Sequence, residues 1–366
     1  MKYEIRNDAR HLDEVIRKVA RQDVYDFMLE RKKPVATRES TVVYVDDIQS
    51  RAKITPLGHA EVRTSGKQTK FPDCLLDVNL DFADWCLSNI TPDGKLDADG
   101  ACEYCYAGNW HNQYPFIREV NKIELTRRFR EARDIRAKED LPTRYVRLGK
   151  MTDAGPDIFL DHLRITFEVL LDLGLKAIMP TKHLGFYPDI AAHLRATNST
   201  LLYSLGSDEI EKGRTALGRT QDWRMKQARM YLDVGVRAVP YVLIDPTRED
   251  GGYFAPILKK ALGFPKVLLL PVRITRRDLA ETVLGGWGNA LGPASVDLFG
   301  NGCGGFELDK TTLVHGNELH PNIEKLVAES GGRVGLCSHN ISKFWCNGCF
   351  MPGHEQIVKI RGRKLD

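Results

Sequence analysis

The chain has 366 residues, 42% of them hydrophobic and 28% charged, the balance of a globular protein with room for one large α/β domain or two ordinary ones. No apolar run approaches the length of a membrane span and the N-terminal stretch has no signal-peptide core, so no membrane partner is expected and a cytoplasmic location is. The net charge of +4 permits nucleic-acid contact without arguing for it.

Residues 1–70 read as a small N-terminal accessory unit. A helix is expected from Asp8 to Arg31, then Pro34, a strand over Thr41–Val45 and a polar linker from Thr64 to Lys70. Residues 71–280 read as a core in which strands and helices alternate. Strands are expected over Leu75–Phe82, Tyr145–Leu148, Leu175–Met179, Ser199–Leu205, Val236–Ile244 and Val267–Val272. Between them, Asp157–Leu173 carries Phe159, Leu163, Phe167, Leu170 and Leu171 at helical spacing, opens after Pro156 and stops at Gly174; Trp223–Asp233 stops similarly at Gly235. A further helix carries Arg127, Arg128, Arg130, Arg133, Arg136 and Lys138, interleaved with Glu131, Asp134 and Glu139. It reads either as a phosphate-binding surface or as a solvated face.

Strands with helical crossovers predict an α/β fold with a mainly parallel sheet, open or curled into a partial (β/α)6 barrel. Ligands in such sheets sit at the carboxyl ends of the strands. Residues 281–366 differ: Gly285-Gly286, Gly304-Gly305 and Gly331-Gly332 accompany four cysteines. They read as a loop-rich extension held by a metal rather than by a large core.

The cysteines carry the chemistry. Cys86, Cys102 and Cys105 form one group and Cys337, Cys346 and Cys349 another, each ending in Cys-x2-Cys. In a reducing compartment such spacing is more often a metal or redox site than a disulfide. Thiolates of this kind take zinc or iron–sulfur clusters.

The residues around and beyond the first pair narrow this choice. Cys102-Glu-Tyr-Cys105-Tyr-Ala-Gly resembles the Cys-x-aromatic-Cys element of the radical S-adenosylmethionine (radical SAM) superfamily, and its Tyr-Cys-Tyr-Ala form resembles the spore photoproduct lyase branch. Gly149-Lys-Met-Thr-Asp153, Pro180-Thr-Lys182, Tyr203-Ser-Leu-Gly-Ser207 and Val239-Pro-Tyr-Val-Leu-Ile-Asp-Pro246 resemble that branch's later segments in order and position. The resemblance implies that Cys86, Cys102 and Cys105 hold three irons of a [4Fe-4S] cluster and leave the fourth open to S-adenosylmethionine. An external electron donor would reduce the cluster, and cleavage would release a 5′-deoxyadenosyl radical. Tyr104 would lie against the adenine, Gly149, Thr152 and Asp153 near the methionine amino group, and Lys182, Ser204 and Ser207 near the carboxylate or ribose.

Two departures from the pattern matter. The usual first spacing is Cys-x3-Cys, whereas Leu87–Ala101 separate Cys86 from Cys102 here; Cys74 is the substitute ligand, at the wrong end of its strand. The lyase also has a hydrogen-donating cysteine in the turn matching Gly149–Asp153, where this chain has Lys150 and Met151. That speaks against thymine photoproduct repair by the lyase route. Nucleic acid remains the substrate class the resemblance points to; a peptide or small metabolite is equally permitted.

In the second group Cys303 is the candidate fourth ligand, with His315, His339 and His354 as alternatives. An auxiliary [4Fe-4S] cluster or structural Zn2+ would fit. A non-enzymatic alternative reads both Cys pairs as zinc knuckles of a nucleic-acid-binding protein. A thiol redox enzyme is a third reading, but the thioredoxin-type context is missing. The oligomeric state is not encoded in any of these features.

Overall fold

The computed structural model describes residues 60–64, 78–83, 118, 120–137, 145–149, 152–211, 218–245, 248–272, 283, 320–337 and 350. The expected helix Asp8–Arg31, strand Thr41–Val45 and glycine-crowded Leu284–Gly305 lie outside them.

Among the described residues eight strands form one sheet in strictly sequential order. β1 (Glu61–Thr64) runs antiparallel to β2 (Val78–Asp81). α1 (Lys122–Ala137) leads to β3 (Tyr145–Leu148). A short 3-10 turn, Asp157–Phe159, and α2 (Leu160–Asp172) lead to β4 (Lys176–Thr181). α3 (Pro188–Ala196) precedes β5 (Thr200–Leu205), and α4 (Gln221–Asp233) precedes β6 (Arg237–Ile244). α5 (Ala255–Ala261) precedes β7 (Val267–Pro271), and α6 (Pro321–Glu329) precedes β8 (Val334–Leu336). From β2 to β8 every neighbouring pair is parallel.

Sequential order with helical crossovers between parallel strands has a direct consequence. Crossovers of a single hand, repeated in one direction, stack all helices on one face and curl the sheet away from them. The core shows this sidedness. Val146, Leu148, Ala177, Met179, Leu201 and Tyr203 point to the helical layer and pack with Leu163, Phe167, Ile190, Leu194 and Tyr231. Their neighbours one residue along point the other way, as strand alternation requires. Tyr145, Ile178, Leu202, Val239 and Leu268 form a second cluster on this inner face, with Tyr241, Cys337 and Phe350 against it. Among the described residues β1 and β8 are the two edges, so the architecture is an open α/β sheet of the partial-barrel kind.

The six expected core strands are all present, with ends shifted by a few residues at most. The sheet reaches beyond the expected core on both sides. β1 comes from residues read as the N-terminal unit, and α6 with β8 from the last ninety residues, read as a loop-rich extension. β8 is hydrogen-bonded to β7, in register Val267 with Val334 and Leu269 with Leu336. Its three residues follow Gly331-Gly332 and are too short a run to stand out in sequence. No helix among the described residues is long and apolar enough to cross a membrane.

Candidate functional site

The carboxyl ends of β2, β3 and β4 are joined by a clasp of side-chain bonds. After β3 the chain turns at Gly149, whose φ is +78° and where a Cβ would lie 2.5 Å from the Thr152 carbonyl oxygen. Only glycine fits such a turn. Its N–H donates to the Leu80 carbonyl at 2.9 Å, extending the ladder to β2. Thr152 then donates to Asp81 Oδ1 from its backbone N–H (3.3 Å) and its hydroxyl (3.4 Å). Asp153, buried, accepts at Oδ1 from the Gly155 N–H (2.8 Å) and the Thr181 hydroxyl (2.7 Å), and at Oδ2 from the Lys182 N–H (2.7 Å). Thr181 Oγ1 in turn accepts from the N–H groups of His183 and Leu184.

Asp153 therefore has three of roughly four acceptor positions occupied by the protein. In this arrangement it holds the β3 turn against the β4 turn. Gly155 is required by the same contact: a Cβ there would sit 2.0 Å from Thr181 Oγ1.

Next along the edge is a buried charged group. Lys182 Nζ donates to Glu211 Oε1 at 2.6 Å; the Glu211 side chain is 0% exposed and that of Lys182 12%. Arg224, also fully buried, donates through Nη1 to Glu211 Oε2 and to the Ser204 carbonyl at 3.0 Å. Gln221 closes the arrangement, donating from Nε2 to Glu211 Oε2 (3.1 Å) and accepting at Oε1 from the Gly206 N–H (3.0 Å). Thr220 starts α4 by accepting the Trp223 N–H, which sets Gln221 and Arg224 on the first turn, facing the end of β5. Nε and Nη2 of Arg224 are buried without a hydrogen-bond partner. Buried charges are tolerated only when paired, and two free guanidinium donors leave capacity for an anionic ligand beside Ser204.

Ser207 is tied elsewhere. Its hydroxyl lies 3.2 Å from Tyr253 Oη and accepts the Glu209 N–H at 3.2 Å, while Tyr253 donates to Glu209. Sequence reasoning missed Glu211, Arg224, Gln221 and Tyr253. Arg224 had a signal: it shares the buried stripe of α4 with Gln227, Ala228 and Tyr231, where a charge is out of place unless it has work to do.

Two points of the chain, Phe82 and Arg118, are joined by a hydrogen bond from the Arg118 N–H to the Phe82 carbonyl at 2.8 Å, and His162 Nε2 on α2 lies 2.8 Å from the Arg118 carbonyl oxygen. Cys86, Cys102, Tyr104 and Cys105 belong to the stretch between these two points and lie outside the described residues, as do Cys303, Cys346, Cys349, Lys150 and Met151. Cys337 is described: it comes directly after β8, donates its N–H to the Leu269 carbonyl at 2.8 Å and packs against the inner-face cluster. Among the described residues no three His, Cys, Asp or Glu side chains gather as a metal site.

Two residues of the basic run on α1 are engaged within the helix. Arg127 donates to both carboxylate oxygens of Glu124 and also pairs with Glu131; Arg128 donates to Glu124 at 2.7 Å. Hydrogen bonds from Arg127 and Arg128 pull the Glu124 carboxyl down to about 2. Arg127 and Arg128 are thereby committed to carboxylates of their own helix.

No family model matches the chain, and no curated protein does. Among solved structures it is similar to Streptococcus suis SuiB bound to S-adenosylmethionine, at 13% identity and a TM-score of 0.36, over 52% of this chain and 40% of that one. The match thus spans well under half of SuiB. It is also similar to mutants of spore photoproduct lyase. One, at 14% identity and a TM-score of 0.47, is matched over 88% of this chain and 94% of that one; another, at 15% and 0.45, over 86% and 93%.

Proposed function

We propose that the chain is a cytoplasmic radical SAM enzyme acting on an unidentified substrate, with nucleic acid the first class to try. The observation that carries this reading is the cationic carboxyl edge: Lys182 and Arg224 share one buried carboxylate, Glu211, beside Ser204. The fit to S-adenosylmethionine is chemical. Its methionine carboxylate needs cationic donors, and Lys182 with the unpartnered Nε and Nη2 of Arg224 would supply them. The hydroxyl of Ser204 is a further donor on the inner face of β5. Gly149 and the Asp153 clasp keep the neighbouring turn rigid, with Thr152 held on Asp81, so the cofactor's amino group would meet a preformed surface. Tyr104 would cover the adenine, and Ser207 would flank the site through its bond to Tyr253.

Cys86, Cys102 and Cys105 would hold a [4Fe-4S] cluster, which when bound supplies the electron that cleaves S-adenosylmethionine to a 5′-deoxyadenosyl radical. Cys303, Cys337, Cys346 and Cys349 would hold an auxiliary cluster or Zn2+. The zinc-knuckle reading leaves the buried charged edge without a purpose.

The test is anaerobic reconstitution, reduction with dithionite in the presence of S-adenosylmethionine, and chromatographic assay of 5′-deoxyadenosine. Product is expected from the wild type, none from Cys102→Ala or Cys105→Ala, and a partial yield from Cys346→Ala. No product from a protein whose cluster loading is confirmed by iron and sulfide analysis overturns the reading.

A further inference from the structure

Register and alternation lay out the inner face of the sheet in rows. Asn79 pairs with Arg147, Arg147 with Ile178, Ile178 with Thr200 and Thr200 with Arg237. One row across β2 to β6 therefore reads Asn79, Arg147, Ile178, Thr200, Arg237. Beside it, toward the amino ends of the strands, Tyr145 pairs with Lys176, whose Nζ lies 5.8 Å from the Tyr145 ring centroid. These two rows bring three cations and two hydroxyls to one end of the face and include no acidic residue. Further up, the same face turns apolar with Leu202, Val239 and Leu268.

Thr200 and Arg237, adjacent in this row, each carry a buried side-chain atom without a hydrogen-bond partner. Thr200 is 1% exposed and its hydroxyl has no hydrogen-bond partner. Its register neighbour Arg237 has a buried Nη1 without a partner. Burial holds the Arg237 guanidinium below its ordinary value, opposed only by the nearby Tyr145 phenol. Buried donors left unmade are destabilising. A single water could satisfy the hydroxyl, yet it would leave the guanidinium charge unbalanced. A negatively charged oxygen group answers both needs at once. Adjacent strands are about 4.8 Å apart, so two register neighbours can reach the two oxygens of one such group.

We propose that Arg237 and Thr200 form an oxyanion-binding site at the amino-terminal end of the inner face, taking the carboxylate or phosphate of a small-molecule ligand. Thr200 and Ser204 are four residues apart on β5, about 13 Å along the strand. The site is therefore separate from the Lys182–Glu211–Arg224 edge, and it stands whether or not the chain binds S-adenosylmethionine.

The experiment uses the full chain as purified, at constant ionic strength set with sodium chloride. Inorganic phosphate and acetate are titrated by calorimetry and by thermal melting, the two arms separating phosphate from carboxylate preference. Saturable binding of at least one anion is expected, with a rise in melting temperature. Arg237→Met weakens that binding at least about tenfold, as loss of a charged hydrogen bond requires. Thr200→Val weakens it less, and Arg237→Lys retains part of it should Arg237→Met fail to fold. Arg130→Met, on exposed α1, leaves it unchanged. No saturable binding by the folded wild type, or equal affinity in Arg237→Met or Arg237→Lys and Arg130→Met, overturns the proposal.

Discussion

The two ends of the inner sheet face treat charge in opposite ways. At the carboxyl edge Asp153, Lys182, Glu211 and Arg224 are joined by bonds between protein groups. At the amino end the register neighbours Arg237 and Thr200 each carry a buried side-chain atom without a hydrogen-bond partner. The first arrangement fixes a surface before any ligand arrives, and its charges cannot rotate away. Both ends keep unmet hydrogen-bonding capacity, Nε and Nη2 of Arg224 at the first and Thr200 Oγ1 and Arg237 Nη1 at the second, but only the first also pairs its buried cations with a protein carboxylate. One sheet thus separates a preorganised edge from a demanding one, and each can be broken without the other.

The largest effect is expected from removing the shared anion. Glu211→Leu strands Lys182 and Arg224 in a buried environment, and by the behaviour of broken buried pairs it should cost about 3–5 kcal/mol, read from urea unfolding. Gly149→Ala comes next. It forces a side chain into a left-handed turn 2.5 Å from a backbone oxygen and should cost at least about 1–3 kcal/mol, with weaker S-adenosylmethionine binding. Asp153→Asn keeps the shape but removes charge from three hydrogen bonds; a loss of about 1.5–3 kcal/mol is expected. Equal stability in Asp153→Asn and wild type would mean the clasp does not hold the turns. The smallest effect is on α1: Glu124→Gln should leave stability nearly unchanged at pH 7, because the ion pairs there are exposed. Its carboxyl is depressed from 4.5 to about 2, so the slight stabilisation it gives is present above pH 4.5 and fades as pH falls toward 2.

Much of this fold was legible in the sequence because its strands are continuous apolar runs between helix stops. Tyr145–Leu148 was read to the residue, and β5, β6 and β7 to within one. β8 was not, since a three-residue strand has no periodicity to detect. The site was legible only where motifs mark it. Lys182 and Ser204 were found, but Glu211 lies 29 residues from Lys182 and 13 from Arg224, and no local pattern links positions so far apart. Pairing of that kind is decided by how β4, β5 and α4 stack. The Arg237–Thr200 neighbourhood was hidden for the same reason, since it exists only through register.

Affinity for S-adenosylmethionine, measured by equilibrium dialysis on anaerobically reconstituted protein, compares the two ends most directly. Lys182→Met, confirmed folded by melting, should weaken binding at least about tenfold, while Arg237→Met should leave it as in the wild type. Unchanged affinity in Lys182→Met, or a larger loss in Arg237→Met, would contradict the assignment of the carboxyl edge as the cofactor surface.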